Sequence, residues 1–275
     1  MIQQIFYINL SILNLIKNTF TISIKLNIFI NNKFMISVNN CVIINLDSRP
    51  DLFLNLEKFK NNWGKQGKIV ERISGVEYKN KTHIINYFLK TNRLNLNGCG
   101  FRHSREAILG EFGCYMSHYN CWKYVVDNKL SNCLILEDGI ELLRSDFENL
   151  YIDTKLDILF INEEMTTDIN KNLTGYGLQG YIVTQKGAQL LMRNCQVLTL
   201  PIDLQIRHLC NTKEICYDIS NKPFVKRDNN RVSSIDGIQL SNNIVNLNDK
   251  QNPNNILQRM FFNFLAKNVN LDEYI

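Results

Sequence analysis

The eight cysteines of this 275-residue chain include no C-x-x-C pair, so the usual framework of a structural zinc site is missing. Lysine and arginine never cluster into a run. The net charge of +5 is scattered, which excludes a nucleic-acid-binding stripe but suits a diphosphate ligand. No apolar stretch reaches the roughly 20 residues a membrane span needs. The uncharged opening, Met1 to Ile16, has neither a basic start nor a small-residue cleavage site, so it does not read as a signal peptide. Gly175, Gly177 and Gly180 lack the strand-to-helix spacing of a dinucleotide fingerprint. Repeats are absent too. What remains is a chain that is 45% hydrophobic and long enough for one large α/β domain.

The stretch from Glu111 to Leu142 organises the rest. Cys114, His118, Cys121 and Val125 recur at helical spacing, with Tyr115, Trp122 and Val126 beside them, as in a helix packed on more than one side. Asp127-Asn128-Lys129 supplies a turn. Cys133 to Leu136 is a short apolar run suited to a buried parallel strand. It ends in Glu137 and Asp138, and Gly139 is expected to let the backbone turn sharply there. Open α/β sheets bind ligands beyond the carboxyl ends of their strands. Two carboxylates at such an end suit Mg²⁺ or Mn²⁺ carrying a diphosphate; the alternative is that they solvate a strand end.

Val42 to Leu46 reads as another buried strand, with Asp47 and Ser48 as caps and Pro50 in a first helical turn. Leu52, Leu56, Phe59 and Trp63 follow on one helix face. Asp47, Arg49 and Asp51 lie in the loop between, either as nucleotide contacts or as caps and surface charges. Ile69 to Ile73 reads as a strand, with a short helix expected around 84–89. Gly98, Gly100, Arg102, His103 and Arg105 form a Gly-rich basic loop that either covers a diphosphate or simply connects. Glu111 is expected in the first turn of the central helix, and His118 within it, as a scaffold residue near the site. Further elements are a short helix over 145–150, a strand over 156–161 ending at Glu163-Glu164, a strand over 181–184, a helix over 185–194 and one after Pro201. His208 is either a metal ligand or a surface residue. Residues 226–237 read as a flap. The pattern over 253–267 is an amphipathic helix that docks on the domain or faces a partner or membrane surface. Residues 1–34 read as an extension or weak anchor, 35–240 as the domain and 241–275 as helix and tail. Buried cysteines favour a cytosol-like compartment with reduced thiols. Asn172-Leu173-Thr174 is a sequon that counts only in a secreted chain.

The wording E-x-G-C-x-x-S-H-x-x-x-W from Glu111, an apolar strand and then Leu136-Glu137-Asp138 resembles glycosyltransferase family 25. VIINLDSRPD (42–51), GYIVTQKGAQLL (180–191) and LPID (200–203) resemble further segments of that family, in its order. Ser117 to Asp127 resembles the procollagen galactosyltransferase branch more than the lipopolysaccharide one. The resemblance implies a GT-A type fold with a mostly parallel sheet flanked by helices. It implies transfer of galactose or glucose from a UDP-sugar to a hydroxyl on a protein or glycan, with inversion. By the same resemblance Glu137 and Asp138 hold Mn²⁺ or Mg²⁺, or the donor's ribose, Asp47, Arg49 and Asp51 contact the donor, and Asp203 is the base or a second acid on the metal side; Arg105 of the basic loop is a further candidate for the donor's phosphates. A collagen-like protein or a glycan would be the acceptor, and nucleic acid no partner. The family has Glu-Asp-Asp where this chain has Glu137-Asp138-Gly139. That departure implies the alternative of a degenerate protein that binds a nucleotide sugar or glycan without turnover.

Overall fold

A computed structural model describes residues 29–30, 33–77, 83–84, 86–87, 90, 105–144, 146 and 149–228. Several expectations lie wholly or largely outside them: the 1–34 extension, the helices over 84–89, 145–150 and 253–267, the Gly-rich basic loop and most of the 226–237 flap.

Six strands form the central sheet. They are β3 (Asn40–Leu46), β4 (Ile69–Gly75), β5 (Asn132–Glu137), β8 (Ile158–Phe160), β9 (Gly180–Thr184) and β10 (Tyr217–Ile219), in the order β10-β8-β9-β5-β3-β4. All run one way except β9, which pairs antiparallel with both β5 and β8. The sheet is therefore mostly parallel, as the apolar runs suggest, with one reversed strand. Two smaller sheets flank it: β1 (Phe29–Ile30), β2 (Lys33–Ser37) and β7 (Tyr151–Asp153), and β6 (Ile140–Leu142) with β11 (Val225–Arg227).

Alternation along the strands feeds two cores. Val42, Ile44, Ile135, Tyr181 and Val183 face one side, and Cys41, Ile43, Leu134, Leu136 and Ile182 the other. The first side is covered by helices α3 (Arg105–Asp127), α4 (Gln185–Asn194) and α5 (Ile202–Asn211), through Tyr115, Trp122, Leu191 and Ile206. The second is covered by α1 (Pro50–Asn55) and α2 (Glu57–Gly64), through Leu56, Phe59 and Trp63. Burying each such side chain contributes roughly 1.5–3 kcal/mol. Cys41, Cys121, Cys133, Cys195 and Cys210 are buried free thiols. Among the described residues no helix is long and apolar enough to cross a membrane.

Local chemistry sets the element ends. Thr184 caps α4, its hydroxyl accepting from Gly187 N at 3.0 Å. The cap of α1 differs from expectation. Arg49 occupies that position without a side-chain capping bond, and Asp47 turns to β4 instead. Helix α3 begins at Arg105, so Glu111 stands in its second turn rather than its first. Gly113 lets α3 pass close to the exit of β4: a Cβ there would meet Val76 O at 2.3 Å. Ser117 Oγ closes the contact, accepting from Val76 N at 2.9 Å and donating to Gly113 O at 2.7 Å.

Candidate active site

Strands β3 and β5 are parallel neighbours, with Ile44 opposite Glu137. One step further brings Asn45 beside Asp138. Asn45 is buried, and its Nδ2 donates to Asp138 Oδ2 at 2.7 Å and to Arg49 O at 2.8 Å. Leu46 N adds a 3.3 Å bond to the same carboxylate oxygen. Arg72 on β4 donates from Nε to Asn45 Oδ1 at 2.8 Å and from Nη2 to Asp47 Oδ1 at 2.5 Å. Ser74 Oγ donates to Asp47 Oδ2 at 2.6 Å. One amide thus ties the turn after β3 to the end of β5, and Asp138 and Asp47 share the same rim of the sheet.

The charges respond to these contacts. Partial burial pushes the Asp138 carboxyl above its usual range, while the bonds from Asn45 and Leu46, and the Arg49 charge, pull it back. The bonds from Ser74 and Arg72 hold Asp47 below its usual range. Asp51 is exposed in the first turn of α1. Arg105 opens α3, and its side chain lies outside the described residues.

Glu137 engages the opposite partner, helix α3. His118 Nε2 lies 3.1 Å from Glu137 Oε1, and His118 Nδ1 lies 3.0 Å from the Tyr181 hydroxyl. Trp122 Nε1 donates to that hydroxyl at 2.9 Å. An indole N–H can only donate, so Tyr181 accepts it and can turn its own proton to Nδ1. A neutral imidazole then carries its proton on Nε2 and donates it to Glu137. The chain Trp122–Tyr181–His118–Glu137 orients the carboxylate from a fully buried base. The adjacent acids therefore do not act as a simple pair: Glu137 is fixed by α3 and Asp138 by β3. Gly139 does not take left-handed backbone, contrary to the expected glycine-dependent turn, and a Cβ there would meet nothing within 4 Å.

Asp203 sits in the first turn of α5, where Oδ2 accepts from Gly177 N at 3.0 Å and Oδ1 from Leu204 N at 2.9 Å. Its charge reaches the buried Glu111 of α3. Burial first, and Asp203 second, push the Glu111 carboxyl up to about 8. The half-buried Cys114 thiol is raised by burial and then by Glu137, Asp203 and Glu111 together. Cys114 therefore marks where the end of β5, the start of α5 and the second and third turns of α3 converge. His208 is exposed and stands apart from this convergence. Glu164 accepts from Arg227 N at 2.8 Å, so it pins the strand after Pro223.

Sequence reasoning missed Asn45, Arg72 and Tyr181. The signal for Asn45 was available: a polar residue inside an apolar strand run, two positions before Asp47. Tyr181 looked like any aromatic in a buried strand.

Glu111 carries a measurable consequence. Its folded-state pKa lies above the unfolded value, so the native state keeps a proton that the unfolded chain has lost. Stability should fall as pH rises from about 4.5 to about 8, with the cost fully present above that window. Glu111→Gln should leave unfolding unchanged at pH 4 and gain about 2 kcal/mol at pH 9, less than the full shift because water relaxes around the ionised form. Urea melts at the two pH values check this; equal wild-type and variant stability at pH 9 would refute it.

Comparison with known proteins points to one family. Residues 38–173 match the family described as Glycosyltransferase family 25 (LPS biosynthesis protein). Procollagen galactosyltransferase 2 of Homo sapiens is 30% identical over 122 residues, covering 36% of this chain and 19% of that protein. A glycosyltransferase 25 family member of Drosophila melanogaster is 32% identical over 105 residues, covering 36% of this chain and 15% of that one. Procollagen galactosyltransferase 1 of Danio rerio is 28% identical over 111 residues, covering 33% and 18%. The matched part is less than a fifth of each of these relatives' length. Over residues 38–173 the chain is similar to glycosyltransferase family 25.

Proposed function

We propose that the chain is a glycosyltransferase of GT-A type that moves a hexose, galactose or glucose, from a UDP-sugar to a hydroxyl acceptor with inversion. The observation that supports this best is the convergence at one sheet rim. Glu137 lies beside Cys114, whose thiol also feels the charges of Asp203 and Glu111, while Asp138 is locked to the turn carrying Asp47 and Arg49. The reading assigns Asp47, Arg49, Asp51 and Arg105 to the donor nucleotide. A glycan or a collagen-like protein is the acceptor, the latter because two of the relatives are named procollagen galactosyltransferases.

The donor set suits Mn²⁺ or Mg²⁺. Hard carboxylate oxygens are the right chemistry, and the bonds described above use one oxygen each of Glu137 and Asp138. Such a cation supplies charge neutralisation of the leaving diphosphate. The protein's own contribution is positional. His118 holds Glu137 in one orientation, and Asn45 holds Asp138 against the turn after β3. Asp203 is the base that takes the acceptor's proton. Glu111 keeps its proton at neutral pH, chiefly through burial and secondly through the Asp203 charge.

Gly139 favours a second reading, a protein that binds a nucleotide sugar or glycan without turnover, because the third acid of the family motif is missing. Titration with UDP, with and without Mn²⁺, separates the two. Metal-enhanced binding with hydrolysis of the UDP-sugar supports the enzyme; metal-indifferent binding without hydrolysis supports the binder. Open space at Gly139 makes a sharper test possible. Gly139→Asp should fold within about 0.5 kcal/mol of wild type and bind Mn²⁺ about tenfold more tightly. Unchanged Mn²⁺ affinity in a folded variant would refute this account of the metal site.

A further inference from the structure

Cys114 and His118 are four residues apart on α3, which places them on the same helix face. Cys114 Sγ, a ring nitrogen of His118 and a carboxylate oxygen of Glu137 all lie within 4.8 Å of one another. Among the described residues this is the one such group of three potential ligands. Its chemistry differs from that expected for the donor cation. A thiolate and an imidazole prefer zinc and similar softer ions to Mg²⁺ or Mn²⁺.

We propose that Cys114, His118 and Glu137 form a second metal site, one for Zn²⁺, which takes Glu137 away from the sugar-donor side when filled. In a tetrahedral site, with Zn–S about 2.3 Å and Zn–N or Zn–O about 2.0 Å, ligand atoms stand roughly 3.3–3.6 Å apart. From 4.8 Å at most, the atoms need to close by no more than roughly 1.2–1.5 Å. Glu137 is already 3.1 Å from His118 and keeps nearly a third of its side chain exposed, so an ion can enter from that side. Three protein ligands leave a fourth position for water, the pattern of an open zinc site.

The surroundings support a cation there. Glu111 and Asp203 add negative potential at the thiol beyond that of Glu137 itself. His118 also has the outer partner that a metal-bound histidine needs. When Nε2 ligates zinc, the ring proton moves to Nδ1 and is donated to the Tyr181 hydroxyl, which has one lone pair for it and one for Trp122. Binding at the thiol balances as Cys114–SH plus Zn²⁺ giving the zinc thiolate and one proton released to solvent.

Co²⁺ is the probe, because a bound thiolate gives it a charge-transfer absorption in the near ultraviolet. The full chain, reduced, should show that band saturating at one equivalent and disappearing when Zn²⁺ is added. Cys114→Ser should abolish it, and Cys216→Ser, at an exposed thiol, should leave it intact. A wild-type chain without the band, or a band that survives Cys114→Ser, overturns the proposal. Should the serine variant not fold, Cys114→Ala takes its place. X-ray absorption on the zinc-loaded wild type gives an answer without any variant: one sulfur at about 2.3 Å is expected, and a shell without sulfur overturns the site. These readouts do not involve sugar transfer. A chain that binds zinc here yet never transfers sugar refutes only the transferase reading, and an active transferase without the thiolate band refutes only the zinc site.

Discussion

Asp138→Asn is expected to lower sugar-transfer turnover about 10³-fold, or roughly 4 kcal/mol of transition-state stabilisation, while leaving the fold intact. The two halves of that statement have different origins. The Asn45 and Leu46 donors both meet Oδ2 of Asp138. An asparagine can present its carbonyl oxygen to them, so the lock between β3 and β5 survives. Partial burial of the charged carboxylate is relieved as well, so stability should change by less than about 1 kcal/mol. What disappears is the negative charge at the donor rim. Asp138→Ala provides the contrast. It removes the acceptor for two donors, and each unsatisfied buried donor costs roughly 1–3 kcal/mol. Steady-state kinetics and urea melts on both variants test the claim. An Asn variant with wild-type turnover would remove Asp138 from the chemistry.

Gly113→Ala should destabilise the protein by about 3–4 kcal/mol, a loss seldom reached by adding one methyl group. The reason is what the methyl would strike. Val76 O is backbone, 2.3 Å from the new Cβ, and cannot rotate away like the end of a side chain. Helix α3 would have to lift from the exit of β4, which breaks the bond from Val76 N to Ser117 Oγ, while the bond from Ser117 to Gly113 O lies within the helix and moves with it. The same helix carries Cys114 and His118, so the lift should also loosen Glu137. Gly64→Ala is the control, since a Cβ there meets nothing within 4 Å. Thermal melts of the two variants should differ widely. Equal melting temperatures would mean that α3 does not approach β4 as described.

Much of the framework could be read in the chain because hydrophobic runs report burial directly. Val42 to Leu46 and Cys133 to Leu136 are continuous because they lie under helices on one face and under helices or small sheets on the other. Leu52, Leu56, Phe59 and Trp63 follow a helical period, although the structure divides that stretch into α1 and α2 around Leu56. The reversal of β9 was not legible, since GYIVT is as apolar as a parallel strand and its direction depends on which edge the preceding loop reaches. The site was legible in its acids but not in their partners. Glu137 and Asp138 stand out as charges after an apolar run. That one faces an imidazole and the other an amide follows from side-chain alternation, combined with a register between β3 and β5 that only the folded sheet defines.

That reversal has an effect on what can change around the site. Because β8 climbs to the rim where β9 starts down, the segment 163–178 leaves and rejoins the scaffold at the same end. Residues can be added at its exposed tip, 169–172, without moving any rung of the ladder beneath, whereas Met165, Leu173 and Leu178 anchor it in the core. It is already folded on itself, with Thr167 bridging Leu173 and Asp168 collecting donors from Asn170 and Asn172, while Gly177 at its far end grips Asp203. The tip of this segment is thus where the surface above the rim can change in length and shape while the sheet below it stays unchanged.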